Sequence, residues 1–383
     1  MLWDIFCRVI DNFGDIGVCW RLTSDLAERG HRVRLWVDDA SALAWMAPQV
    51  AWDPGARGIR GATLDGIEVR PWTEAESALP DVQPGEVVIE AFGCELPAAF
   101  VERMVRPQPP AWINLEYLSA EAYVERSHRL PSPVWSGPGT GLTKWFFYPG
   151  FTPATGGLLV EPGLMEAQDT FTPEVARRWL ADQGINTAPG DRLVSVFCYG
   201  GAPLPSLLDR LQEGSHERPA THVLLTPGFA ARLAEDWTPA PDTRLTLHQL
   251  PALPQRDFDR LLWACDLNLV RGEDSAVRAL WAGKPHVWQI YPQDDGVHAD
   301  KLQAFMDRWM QDWPTPLRQE VAAWWRAWNG LSDTGGVLPS LPAWSEDAPW
   351  AVHSRASRQK TLLQRDLCSQ LVDFAQEIVT RSE

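Results

Sequence analysis

The 383-residue chain has 45% hydrophobic residues and a formal net charge of -16, a length that favours two compact domains of roughly 150 to 200 residues each. No apolar run approaches the roughly 20 residues needed to span a bilayer, and the acidity argues against a broad basic face for a phosphate backbone while leaving room for a local basic patch, so neither membrane nor nucleic acid is an expected partner. The opening "MLWDIFCRVI" lacks a basic segment leading into a long apolar stretch and a cleavage site, so no signal peptide is expected and the cytoplasm is the expected location.

In chain order, "LWDIFCRVI" reads as the first strand. After a turn, Val18, Leu22 and Leu26 recur at helical spacing, and "ERGH" closes that helix at Gly30. "RVRLWVDD", "IEVRPW", "VVIEAFG" and "AWINLEYLS" follow as further strands. Strands separated by helices imply a parallel sheet with helices on both faces. Residues 130–172 are rich in Pro and Gly and read as an irregular excursion ending in the interdomain connection.

The alternation then resumes with "RLVSVFCYG", "THVLLTPG", "RLTLHQLP", "LNLV" and "PHVWQIYP" as strands. Between them a helix over 255–265 gathers Phe258, Leu261, Leu262 and Cys265 on one face. Beyond about residue 298 the pattern turns helical, with one last helix near 355–380. The expected division is 1–170 for a first Rossmann-like α/β domain, 171–355 for a second, and 356–383 for a helical tail returning to the first. The 21 tryptophans cluster in "RWMQDW", "AAWWRAW" and "LPAWSEDAPW", as packing or as a partner surface. Six cysteines, at 7, 19, 94, 198, 265 and 368, lack paired spacing and read as buried thiols. The eight histidines contain no HxH or HExxH, so no metal is expected.

In open parallel sheets, ligands bind beyond the carboxyl ends of the strands, which directs attention to three turns. In "DNFGDIGVCWRL", Gly14 and Gly17 let the backbone approach a ligand, and Asp11 and Asp15 stand four residues apart. They serve either as a base with a positioning carboxylate, or as cap and turn residues. In "FCYGGAP", Tyr199 precedes a Gly-Gly turn able to present amides to phosphate, or simply a tight turn. In "LNLVRGEDSAVRALWAGKP", Arg271, Gly272, Glu273, Asp274 and Ser275 gather at the mouth of a helix. So many polar residues are costly in a core and are expected to face solvent or ligand. Arg271 and the amides of 273–275 can hold a diphosphate.

"DNFGDIGVCWRL", "INLEYLSAE", "DFDRLLWACDLNLVRGEDS" and "WAGKPHVWQIYPQDD" together resemble the bacterial protein-arginine rhamnosyltransferases that modify translation elongation factor P. The resemblance runs from the first strand past residue 300. It implies a GT-B glycosyltransferase, with two Rossmann-like domains facing a cleft and inverting, metal-independent chemistry. The implied donor is dTDP-β-L-rhamnose and the implied acceptor an arginine at a loop tip of the elongation factor. By position, Asp15 matches the general base and Asp11 its companion. Phe13, Gly14, Ile16, Gly17, Tyr199, Gln255, Arg271, Gly272, Glu273, Asp274 and Ser275 match the donor site, with Glu273 near the reacting centre. Relatives carry an aromatic residue where this chain has Ala252, so another ring, Tyr199 among the candidates, is needed to stack on thymine. Another sugar-nucleotide enzyme of the same architecture and a non-catalytic partner of a translation factor are the competing readings.

Overall fold

The computed structural model describes residues 1–10, 13–53, 60–63, 66–77, 82–213, 219–293 and 296–381. Asp11 therefore lies outside the described residues. The chain divides into two compact units, Met1–Pro162 with Leu363–Glu383, and Gly163–Leu362. Each is mixed α/β around a sheet that is mainly or wholly parallel, the class expected from the alternation of strands and helices.

The sheet of the first unit contains β1 (Leu2–Cys7), β2 (Arg32–Val37), β3 (Ala51–Trp52), β4 (Gly61–Ala62), β5 (Ile67–Pro71), β6 (Val87–Ala91), β7 (Ala111–Leu115), β8 (Pro131–Pro133) and β9 (Thr143–Phe147). Their spatial order is β3-β4-β5-β2-β1-β6-β7-β9-β8. The pairs from β5 through β9 are parallel, while β3, β4 and β8 add antiparallel edges. β8 and β9 correct the expectation of an irregular stretch over 130–172. "TKWFF" is a strand whose signal is masked by the Pro and Gly on either side, and β7 pairs with it in parallel.

Alternation along β1 explains how both sheet faces are filled. Trp3, Ile5 and Cys7 enter one core cluster with Leu22 and Leu26 of the Gly14–Glu28 helix. Phe6 enters the opposite one with Trp36, Trp72 and Phe100. Asp4 is also buried, and is accommodated because both of its oxygens are saturated. Arg34 donates from Nε at 2.6 Å and Nη2 at 2.7 Å, Trp36 Nε1 at 2.8 Å and the Gly85 amide at 2.7 Å.

The single helix expected near 355–380 is instead two, Pro349–Leu362 in the second unit and Leu367–Arg381 in the first. Asp366 starts the latter by accepting the Ser369 amide at 2.8 Å. Leu367, Leu371, Phe374 and Ile378, at helical spacing, then join the cluster containing Trp3 and Ile5.

The second unit carries β10 (Arg192–Val196), β11 (Thr221–Leu225), β12 (Leu245–Gln249), β13 (Leu267–Arg271) and β14 (His286–Gln289), in the order β12-β11-β10-β13-β14. All of its pairs are parallel. The tryptophan-rich segments supply packing, not a partner surface: Trp309, Trp313, Trp324, Trp325, Trp328, Trp344 and Trp350 are all buried. All six cysteines are free and buried.

Both sheets reverse their direction of growth beside their first strand, between β1 and β6 in one and between β10 and β13 in the other. Such a switch point opens a crevice at the carboxyl ends of the flanking strands. The turns singled out in the sequence lie at these two places.

Candidate active site

In the first unit, β1 ends at Cys7 and the chain re-enters regular structure with the Gly14–Glu28 helix. Phe13 occupies the N-cap position without a side-chain cap bond, and its ring meets Trp45 edge-on at 5.2 Å. Ile16 is wholly buried in the core cluster with Trp3 and Ile5, and Gly17 is buried, which corrects the expectation that the Ile16 side chain lines the donor site. Gly14 is half-buried.

Asp15, in the first turn of the helix, is 2% exposed. The N-cap position of this helix is held by Phe13, not by Asp15. Asp15 Oδ2 accepts the Ile10 amide at 2.8 Å, and its Oδ1 accepts the Tyr117 hydroxyl at 3.3 Å. A carboxylate at a helix N-terminus is favoured by the helix dipole, and here it also ties the helix to Ile10.

Tyr117 and its neighbour Phe92 were not identified as site residues from the sequence. They follow β7 and β6 respectively, and their rings stack at 4.4 Å with an interplanar angle of 13°. Beside them, burial holds the half-buried Glu116 carboxyl above the usual carboxylate range, against the opposing Asn114 side-chain and Tyr117 backbone hydrogen bonds. Asn114 Nδ2 donates to Glu116 Oε1 at 2.6 Å. The carboxyl end of this switch point thus gathers carboxylates and aromatic rings, the groups that recognise a guanidinium.

In the second unit the reversal between β10 and β13 brings Tyr199 and Arg271 together. Arg271 ends β13, and its guanidinium lies 4.5 Å from the ring centroids of both Phe197 and Tyr199. The Tyr199 amide donates to Gln289 Oε1 at 2.8 Å, and its ring meets Tyr291 edge-on at 5.5 Å. Tyr199 is thereby buried, whereas Tyr291 is 46% exposed. Burial pushes the adjoining Cys198 thiol up to about 12, against the pull of the Arg271 charge.

The expectation that the whole 271–275 run faces solvent or ligand needs correction. Arg271 and Ser275 are buried, and only Glu273 and Asp274 are half-exposed. Burial of Arg271 is compensated by the two aromatic faces. Gly272, at φ 70° and ψ 174°, provides the left-handed step that turns the chain from strand into the Glu273–Ala282 helix. Glu273 pairs with Lys301, Nζ to Oε1 at 2.6 Å. Gln255 begins the Gln255–Ala264 helix and is half-buried. Among the described residues, no three His, Cys, Asp or Glu side chains are gathered as a metal site requires.

Comparison with known proteins shows where such a chain belongs. Residues 3–376 match the family described as Elongation-Factor P (EF-P) rhamnosyltransferase EarP. A protein-arginine rhamnosyltransferase of Pseudomonas putida is 44% identical, covering 97% of this chain and 98% of the relative. One from Pseudomonas aeruginosa is 41% identical with the same coverage. One from Shewanella oneidensis is 35% identical over 98% of both chains. A solved structure reported as the structural basis for EarP-mediated arginine glycosylation of translation elongation factor EF-P is 31% identical. It covers 98% of this chain and 99% of its own, with a TM-score of 0.63. No helix among the described residues is long and apolar enough to cross a membrane. The chain is a member of the EarP family of protein-arginine rhamnosyltransferases.

Proposed function

We propose that this enzyme transfers L-rhamnose from dTDP-β-L-rhamnose to the guanidine of an arginine in translation elongation factor P, in the cytoplasm, with inversion and without a metal. The observation that carries the reading is Asp15. It is a carboxylate buried to 2% exposure at the switch point of the first sheet, with one oxygen fixed by a backbone amide and the other beside a tyrosine hydroxyl.

An arginine guanidinium, with a pKa above about 12, is a poor nucleophile. A carboxylate holds it through charge-assisted hydrogen bonds and turns a nitrogen toward the anomeric carbon. As the new C–N bond forms, that carboxylate accepts the nitrogen's proton. The bond between the anomeric carbon and the diphosphate oxygen breaks with its electron pair leaving on the diphosphate. Arg271 and the amides at the start of the Glu273–Ala282 helix supply positive charge for that leaving group. Lys301 offsets the Glu273 carboxylate, which would otherwise repel phosphate. With Ala252 exposed and apolar, the Tyr199 ring buried and Phe197 only partly exposed beneath Arg271, Tyr291, at 46% exposure, is the more open ring of this group to stack on a thymine.

One displacement on a β-configured donor gives an α-linked product. The test is the NMR anomeric configuration of the rhamnosylated elongation factor made from dTDP-β-L-rhamnose. An α linkage is expected; a β linkage would overturn the single displacement, and no product from folded enzyme would overturn the transfer itself.

A further inference from the structure

The Phe92–Tyr117 pair joins a strained backbone to the Asp15 carboxylate. β6 and β7 pair in parallel through Ala91 and Leu115, so the two residues leave the sheet side by side. Phe92 has φ 58°, a left-handed conformation that a bulky side chain adopts only where its surroundings impose it. The restraints are specific. The Phe92 amide donates to the Leu115 carbonyl at 2.7 Å, the Gly93 amide to Asn114 Oδ1 at 3.0 Å and the Glu95 amide to Glu90 Oε1 at 3.2 Å. Glu90 and Asn114 are both buried, and Glu95 is also left-handed at φ 53°. Two polar side chains buried within the sheet thus fix a loop whose visible product is the placement of the Phe92 ring against Tyr117.

Tyr117 is 36% exposed, and its hydroxyl reaches Asp15 Oδ1. Oδ2 accepts the Ile10 amide at 2.8 Å, and the Tyr117 hydroxyl approaches Oδ1 at a long 3.3 Å. A carboxylate oxygen accepts more than one hydrogen bond, so Oδ1 can meet a substrate N–H while the tyrosine steers it.

We infer that Tyr117 is a positioning residue for the transfer. Its hydroxyl orients Oδ1 of Asp15 toward the acceptor guanidinium, and the strained Phe92 holds the Tyr117 ring at the distance this requires. The inference rests on the reading of Asp15 as the base in arginine rhamnosylation. It explains why the fold maintains an unfavourable backbone conformation at this place, and it adds Phe92 and Tyr117 to the determinants of turnover.

Tyr117→Phe keeps the stacked ring and removes only the hydroxyl. Turnover is expected to fall by about tenfold or more, the effect of one hydrogen bond to a charged group. The KM for elongation factor P and the affinity for dTDP should stay within about twofold, since a positioning residue acts on the reacting geometry. Phe92→Gly removes the ring while suiting the left-handed backbone, so it tests the support without adding strain, and it too should lower kcat. Wild-type enzyme and Asp15→Asn run alongside. If the wild type transfers no rhamnose, or Asp15→Asn transfers it normally, the reading of Asp15 falls. If those controls behave and Tyr117→Phe turns over like wild type, or its loss lies wholly in KM, the role of Tyr117 falls alone.

Discussion

Asp15→Asn separates the chemistry of the site from its architecture. Among its contacts, the carboxylate accepts the Ile10 amide at 2.8 Å and the Tyr117 hydroxyl at 3.3 Å. Asparagine can satisfy both, its carbonyl facing the amide and its NH2 donating to the tyrosine oxygen, which can accept as well as donate. What is lost is the charge assistance of these bonds, about 1 kcal/mol. For a domain of this size that lowers the melting temperature by about 2 to 4 °C. Turnover responds on another scale. An amide cannot take the proton, so the rate falls by about 10²- to 10⁴-fold, the range of general-base catalysis. The assays are thermal unfolding, calorimetric titration with dTDP, and single-turnover rhamnosylation of elongation factor P followed by intact-protein mass spectrometry. Folded protein with unchanged dTDP affinity and almost no product is the expected combination. Retention of more than about a tenth of wild-type turnover would refute a general base at Asp15, and lost activity accompanied by lost folding would make Asp15 an architectural residue.

Arg271→Lys keeps the charge but not the planar group between Phe197 and Tyr199, so calorimetry should show dTDP binding weakened by about tenfold; unchanged affinity would remove Arg271 from the diphosphate site. Lys301→Met removes the cation paired with the Glu273 carboxylate, and dTDP affinity should drop severalfold, most at low ionic strength; unchanged or tighter binding would show that Lys301 does not serve to offset Glu273. His286 is buried with its ring edge-on to Trp309 and Trp325, and burial pushes its pKa down to about 4. A folded pKa below the unfolded value means that the stability it contributes is present above about pH 6.5 and lost as pH falls toward 4, up to roughly 3 kcal/mol. Denaturant unfolding of the wild type should weaken across that window, and His286→Gln should weaken less; equal slopes would contradict the assignment.

Much of the fold was legible because its signals are local. The β1 run, the helical spacing of Val18, Leu22 and Leu26 and the strand preceding Arg271 each lie within a few consecutive residues, and each forms the expected element. Asp15 could be singled out for the same reason, being a charged residue in a glycine-containing turn after an apolar strand. What escaped was set by pairing across the sheet. Phe92 and Tyr117 stand 25 positions apart, and only the β6–β7 register makes them neighbours, so no spacing rule could join them. Tyr117 did lie inside "INLEYLSAE", but nothing in that run distinguishes a tyrosine that reaches a carboxylate from one that packs. Lys301 likewise meets Glu273 across 28 positions. The burial of Arg271 was missed because a guanidinium reads as solvent-seeking until the rings on both sides of it are known. The break between the last two helices had a visible cue in Asp366, a cap residue preceding "LCSQ", obscured by the helix-forming residues around it.

The most direct test of the central claim is tandem mass spectrometry of elongation factor P after incubation with this enzyme and dTDP-L-rhamnose, with fragmentation that keeps the sugar on its residue. The account predicts a single deoxyhexose on one arginine, formed by the wild type and absent with Asp15→Asn. A sugar on a serine or threonine hydroxyl, or no added mass from a folded enzyme that binds dTDP, would contradict it.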